Sequence, residues 1–133
     1  LGIENHGRLV NDGPALVELV RDVGAPNLGF TIDTGNFAWA GHDAAQVRAD
    51  FEAVVPLIVN VHIKDGRWTD DGFVFVPAGE GDLPLTWLLS SLKARGYEGP
   101  IYSEYEGGEA FREGTRRSIA YLKRAVAELA LTP

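Results

Sequence analysis

Four short strings in this chain each set an ionisable side chain among apolar neighbours. They are Ile3-Glu4-Asn5-His6-Gly7, Ile32-Asp33-Thr34-Gly35-Asn36, Val61-His62-Ile63-Lys64-Asp65 and Tyr102-Ser103-Glu104-Tyr105-Glu106. Glu4, Asp33, His62 and Glu104 follow one another at intervals of 29, 29 and 42 residues. Taken singly, each reads as a helix cap, a solvated loop residue or a hydrogen-bonded core histidine. Taken together they ask for one explanation. Three carboxylates brought to one point repel one another and resist ionisation, and a divalent cation removes that conflict. Three oxygen donors and one imidazole suit Mn²⁺, Mg²⁺, Co²⁺ or Fe²⁺ in an octahedral shell with positions left for substrate oxygens. Zn²⁺ fits less well, since it favours fewer and more nitrogen- or sulfur-rich ligands.

The elements that must position these groups alternate regularly. Leu1 to Asn5, Leu28 to Asp33, Leu57 to Lys64 and Pro100 to Tyr105 read as strands. Helices are expected between and after them. The first is capped by Asp12, opened by Pro14 and closed by Gly24; the second is capped by Asp43. The third is capped by Asp82 and ended by Gly96, and the last runs from about Ala110 to Leu129 with Ile119, Leu122, Val126 and Leu129 on one stripe. His42 reads as a helix-entry residue, Trp87 as core, Glu80 as a turn residue, and the run from Arg112 to Arg124 as a solvated face. The run Leu57-Ile58-Val59-Asn60-Val61 is apolar enough for burial on both faces, as in parallel sheets. A polar excursion over 65–82 contains Phe73-Val74-Phe75-Val76, which predicts a small hairpin. Lys64-Asp65 reads equally as a surface ion pair or as part of the site.

Four strand–helix units predict an α/β fold with parallel strands, either a barrel or an open doubly wound sheet. Four units are half of an eight-unit barrel, in which functional groups stand at the C-terminal ends of strands. All four ionisable groups sit at such ends. No glycine-rich fingerprint opens a helix, so dinucleotide binding has no support.

Composition narrows the classes further. The 133 residues carry 19 acidic against 12 basic side chains, a net charge of −7, which disfavours nucleic acid. There is no cysteine, hence no disulfide and no thiolate ligand. No apolar run approaches the roughly 18 residues of a membrane span, and no signal peptide is visible. A cytoplasmic location is the expectation. The chain opens on Leu1 inside a strand, which reads as a fragment, a processed product or an engineered piece.

The strings IENHG, IDTGN, VHIKD and SEYEG, in this order on successive strands, resemble strands five to eight of the xylose-isomerase-like barrel superfamily. That group includes ketose 3-epimerases, sugar-phosphate isomerase/epimerases, inosose dehydratases and endonuclease IV. Pro77-Ala78-Gly79-Glu80-Gly81-Asp82-Leu83 is similar to its Gly-x-Gly turn after the histidine strand. The resemblance covers the whole chain and implies the (β/α)4 C-terminal half of a (β/α)8 TIM barrel.

It further implies a divalent metal, Mn²⁺ first, held by Glu4, Asp33, His62 and Glu104. Glu4 and Glu104 would exchange protons with carbon through a metal-stabilised enediolate. His6, Asn36, Lys64 and Arg67 would bind substrate oxygens, and Trp39 and Trp68 would wall the pocket against a sugar or polyol. Asn36 stands where endonuclease IV and many epimerases carry His, and the Asp-Arg-His segment of endonuclease IV is absent. DNA repair at a trinuclear zinc site is therefore not implied. The implied activity is that of a sugar isomerase or epimerase; the alternatives are an inosose dehydratase-like lyase and a catalytically silent half-barrel that only binds metal and assembles. A half-barrel has open sheet edges, so a homodimer, or pairing with an N-terminal half-barrel, is the expected assembly.

Overall fold

The computed structural model describes residues 1–7, 10–108 and 110–131, the side chain of residue 131 excepted. Among them, β1 (Gly2–Glu4), β2 (Gly29–Asp33), β3 (Ile58–Ile63) and β6 (Ile101–Ser103) form one parallel sheet, in that order. The intervening β4 (Asp65–Thr69) and β5 (Gly72–Val76) form an antiparallel hairpin, where the aromatic run had placed it. Helices α1 (Gly13–Val23), α3 (Ala44–Val54), α4 (Leu85–Ala94) and α5 (Phe111–Leu131) follow the four sheet strands, giving the expected strand–helix repeat. A four-residue helix, α2 (Asn36–Trp39), stands directly after β2 and was not anticipated; one turn of apolar sequence carries too little periodicity to be read.

Local chemistry sets the helix ends. Asp12 Oδ1 accepts from Ala15 N at 2.8 Å, and Gly24 closes α1 at φ 61°. Asp43 and Gln46 form a reciprocal capping box at α3. Asp82 does not cap α4. Pro84 occupies that position without a side-chain bond, and Asp82 N instead donates to Gly66 O, because the loop turns back onto the hairpin before the helix begins.

The core lies between the sheet and its helices. Phe30, Ile32, Val61 and Ile63 pack with Leu16, Val47, Phe51, Leu88 and Leu92. The other sheet face is less covered, which corrects the expectation for β3. Val59 is 48% exposed, and Asn60 and His62 are half-buried. Helices shield one face only, so the face that carries the ionisable groups stays open. The apolar stripe of α5 is also only partly used. Leu122 is buried, whereas Ile119 and Val126 remain exposed beside the outer edge of β6.

Candidate metal centre

Strand register brings the four ionisable groups together. Asp33 and His62 are direct partners across β2 and β3, and Glu104 N donates to Ile63 O at 2.9 Å one residue past β6. Glu4 ends β1. One ligand atom from each of Glu4, Asp33, His62 and Glu104 lies within 4.8 Å of the others. His62 Nδ1 is 3.1 Å from Glu4 Oε1 and 3.7 Å from Glu104 Oε2, and the ring meets Tyr102 edge-on.

Asp33 is fully buried and tightly held. Its Oδ1 accepts from Gly35 N and Asn36 N. Its backbone is clamped by the Asn5 side chain, which accepts from Asp33 N and donates to Asp33 O. Its Oδ2 accepts no hydrogen bond, although Lys64 Nζ lies 3.0 Å away as an ion-pair partner. A buried carboxylate beside two further carboxylates and an imidazole nitrogen offers the oxygen-rich donors that a divalent cation favours. The donor set fits an oxygen-preferring ion, and the four side chains named are those that would hold it.

The neighbours of the cluster differ from expectation in instructive ways. Lys64 and Asp65 are not a surface pair. Both are buried, and they point to different partners. Lys64 Nζ reaches Asp33, Glu104 Oε2 at 3.3 Å, Glu106 Oε1 at 2.9 Å and Asn36 Oδ1 at 3.4 Å. Asp65 accepts from Gly66 N, Gly79 N, Gly81 N and Leu83 N, which anchors the 77–83 loop.

Asn36 is buried, its amide donating to Asn5 O as well as meeting Lys64. Arg67 turns away and donates through its guanidinium to Glu80 O. Trp68 donates to His42 O and stacks edge-on with Phe73. His42 itself pairs with the buried Asp50 at 2.6 Å, whose other oxygen accepts from Gly13 N at the start of α1. His6 and Trp39 are exposed. Thus Lys64 and Asn36 adjoin the cluster, while Arg67 and Trp68 are engaged with the loops around it.

Two polar neighbours of the cluster were missed. Asn5 follows Glu4 directly, and Asn60 precedes His62 by two in an otherwise apolar strand. A lone amide inside a strand, at period two from a candidate ligand, was the available signal.

Electrostatics follows from burial and crowding. Burial first, and then a hydrogen bond with Glu104, push Asp33 up to about 8 against the pull of Lys64. Burial acts to raise Glu104 as well, but Asp33, Lys64 and His62 outweigh it and leave Glu104 below its ordinary value. For Lys64, burial favours the neutral amine, and Asp33, Glu106 and Glu104 more than reverse this.

The sign for stability is definite. A carboxyl raised in the folded state stabilises the fold at low pH, and that contribution is lost as pH rises from the usual range near 3.8 through about 8. Glu104, being depressed, acts oppositely, but only around and below its ordinary 4.5. With a chelator present, urea unfolding should therefore give a less stable protein at pH 8 than at pH 5.5. Between pH 5.5 and 7 the apparent affinity for Mn²⁺ should rise by about tenfold per pH unit, because the ion must displace the proton on Asp33. A flat affinity between pH 6 and 7.5 by calorimetry would contradict this account.

The comparisons agree with this architecture. The model of the xylose isomerase-like TIM-barrel family matches residues 1–125. An uncharacterized protein of Methanocaldococcus jannaschii is 33% identical over 108 residues, covering 78% of this chain and 36% of its own length. The solved structure of a D-tagatose 3-epimerase-like protein is 29% identical at a TM-score of 0.70, covering 97% of this chain and 47% of that one. A xylose isomerase-like TIM-barrel protein from Mycobacterium smegmatis, in complex with magnesium, superposes at a TM-score of 0.80 with 18% identity, over 97% of this chain and 44% of that one. The chain thus spans about half the length of these solved structures or less.

Proposed function

Because the chain belongs to the xylose isomerase-like TIM-barrel family, matched over residues 1–125, we propose that it provides the divalent-metal half of a sugar or polyol isomerase/epimerase. The observation that carries this reading is the convergence of three carboxylates and one imidazole within 4.8 Å. The full burial of Asp33 among them adds to it. Likeness to a D-tagatose 3-epimerase-like protein supports the reaction class. The oxygen-rich donor set favours Mn²⁺, with Mg²⁺, Co²⁺, Fe²⁺ or Zn²⁺ as alternatives. When bound, the cation supplies polarisation of a substrate carbonyl, which makes the neighbouring C–H acidic enough for a carboxylate base.

The residues of the chain divide the remaining work. Asp33, buried and clamped by Asn5, holds position. Glu4 and Glu104 arrive from the two outer strands of the sheet, and their side chains are partly open to solvent. They flank the site from two sides, so that one takes a proton from carbon and the other returns one. A hydrogen bond with Asp33, and then Lys64, hold Glu104 below its ordinary value and favour the ionised form a base needs. The Lys64 ammonium can also bind a substrate oxygen.

The test is deuterium exchange. With Mn²⁺ in D₂O, a panel of ketoses should gain deuterium beside the carbonyl, and Glu4→Gln or Glu104→Gln should abolish the gain. In parallel, His62→Asn should weaken Mn²⁺ binding by at least about tenfold. Bound metal with no exchange on any ketose would defeat the isomerase reading, and loss of water from an inosose would select the lyase.

The same proposal extends to assembly. The outer edges of β1 and β6 have no partner strand among the described residues. Ser103 Oγ is buried beside the β6 edge without a hydrogen bond, and Ile119 and Val126 lie exposed next to it. Two copies related by a twofold axis would pair each β1 with the other copy's β6 and close both edges at once. Light scattering should give a dimer at micromolar concentration. A monomer mass that does not change with concentration would rule the dimer out.

A further inference from the structure

Asn60 and His62 lie two apart on β3, so their side chains share the open face of the sheet. Asn60 Nδ2 is 3.1 Å from His62 Nε2, while Asn60 Oδ1 is buried and accepts no hydrogen bond. On the opposite side of the ring, His62 Nδ1 faces Glu4 Oε1 at 3.1 Å. With Asn60 Nδ2 as the donor, Nε2 accepts from the amide and the ring proton lies on Nδ1, facing Glu4.

A ring whose Nδ1 lone pair serves a cation carries its proton on Nε2 instead. That proton would then point at the amide NH₂, donor against donor. Rotating the amide by half a turn replaces the NH₂ with the unsatisfied Oδ1, and the conflict becomes a hydrogen bond. The two ends of an amide are nearly equal in size, so the rotation needs no added space.

We infer that Asn60 is a positioning residue for His62, its amide turning to accept from Nε2–H whenever Nδ1 is turned over to the metal. This rests on the metal-centre reading above. It assigns a dual task to one amide. Asn60 holds the ring as a donor in the metal-free protein and as an acceptor in the loaded one, which fixes ring orientation in both states. A metal-bound histidine commonly has its second nitrogen tied to such a partner, at a cost of about 10–100-fold in affinity when the partner is removed.

The experiment uses Zn²⁺, which is diamagnetic, with ¹⁵N-resolved NMR of the His62 ring and calorimetric Zn²⁺ titration of the parent, Asn60→Leu and Asn60→Asp. In the parent, the ring proton should sit on Nδ1 without metal and on Nε2 with Zn²⁺. Asn60→Leu should bind Zn²⁺ about 10–100-fold more weakly. Asn60→Asp, an acceptor without rotation, should carry Nε2–H even without metal and bind at least as tightly as the parent. Should Asn60→Leu fail to fold, Asn60→Asp decides alone. Parent-like affinity in Asn60→Leu, or tenfold weaker binding in Asn60→Asp, overturns the role of Asn60. Absence of Zn²⁺ binding by the parent overturns the metal-centre reading with it, so the two failures are told apart.

Discussion

Lys64→Met should make the stability of this chain depend on a divalent cation. In the parent, the Lys64 ammonium is only 4% exposed and lies 3.0 Å from Asp33, 3.3 Å from Glu104 and 2.9 Å from Glu106. It supplies the positive charge that permits three carboxylates to crowd together. Met keeps most of the alkyl stem, which matters because the site is close-packed there. A Cβ on Gly35 would stand 2.7 Å from the Lys64 Cβ and 2.8 Å from the Phe75 ring. The substitution therefore removes charge with little loss of packing.

Removing one partner of a buried ion pair costs about 3–5 kcal/mol. Protonation of Asp33, already favoured by burial, should relieve part of this. A net loss of about 3 kcal/mol lowers the melting temperature of a domain of this size by roughly 10 °C. Excess Mn²⁺ should restore the variant by more than it raises the parent. Thermal melts with EDTA and with Mn²⁺ measure both quantities, and an unchanged melting temperature in EDTA would show that Lys64 is not the counter-ion of the cluster.

Asp65→Ala should be at least as damaging, for a reason unconnected with metal. The Asp65 carboxylate, 2% exposed, accepts backbone hydrogen bonds from Gly66, Gly79, Gly81 and Leu83. Burial raises its pKa against the pull of those donors, so the charge stays buried only because they are there. Gly81 permits the approach, since a Cβ there would collide with the Asp65 carboxylate.

Alanine leaves four N–H groups without their acceptor. At about 1–3 kcal/mol for each donor that stays buried, and with water reaching the outer ones, the loss is about 4 kcal/mol. The first segment to open should be the 77–83 loop. Through it, Arg67 loses its acceptor at Glu80 O, and α5 loses the bond from Ala78 N to Ser118 Oγ. Hydrogen exchange at Gly79, Gly81 and Leu83 should accelerate well ahead of exchange in β2. Asn should retain part of the stability. Protection of those three amides in Asp65→Ala equal to the parent would disprove the anchor.

The strand–helix repeat and the four converging groups were legible in the sequence for the same reason. Parallel strands flanked by helices produce apolar runs, and chemistry at strand ends falls at the interval of one unit. The Asp12 and Asp43 caps were legible because capping is local. The failures are non-local. Asp82 looks like a cap until Gly66 O, sixteen residues earlier in the chain, takes its N–H. Lys64 and Asp65 read equally as a surface pair or as part of the site; the turn from β3 into β4 sends one to the cluster and the other to the loop. Arg67 looks available for substrate, yet its acceptor at Glu80 O exists only once the hairpin and loop have closed. The missing cover of Val59, Ile119 and Val126 could not be read either, because periodicity reports which residues are apolar and not what faces them.

The order of strands in the sheet is their order along the chain, with the hairpin set aside. During synthesis, β2, β3 and β6 each emerge after the neighbour with which they pair. Asp33 and His62 meet early, while Glu104 arrives only with the last strand. Until then Lys64 has Asp33 without Glu104 or Glu106, and the half-finished site carries less negative charge than the finished one. In chain order, the last of the crowding carboxylates therefore follow β1 to β3, the hairpin and α4, whose residues supply most of the core.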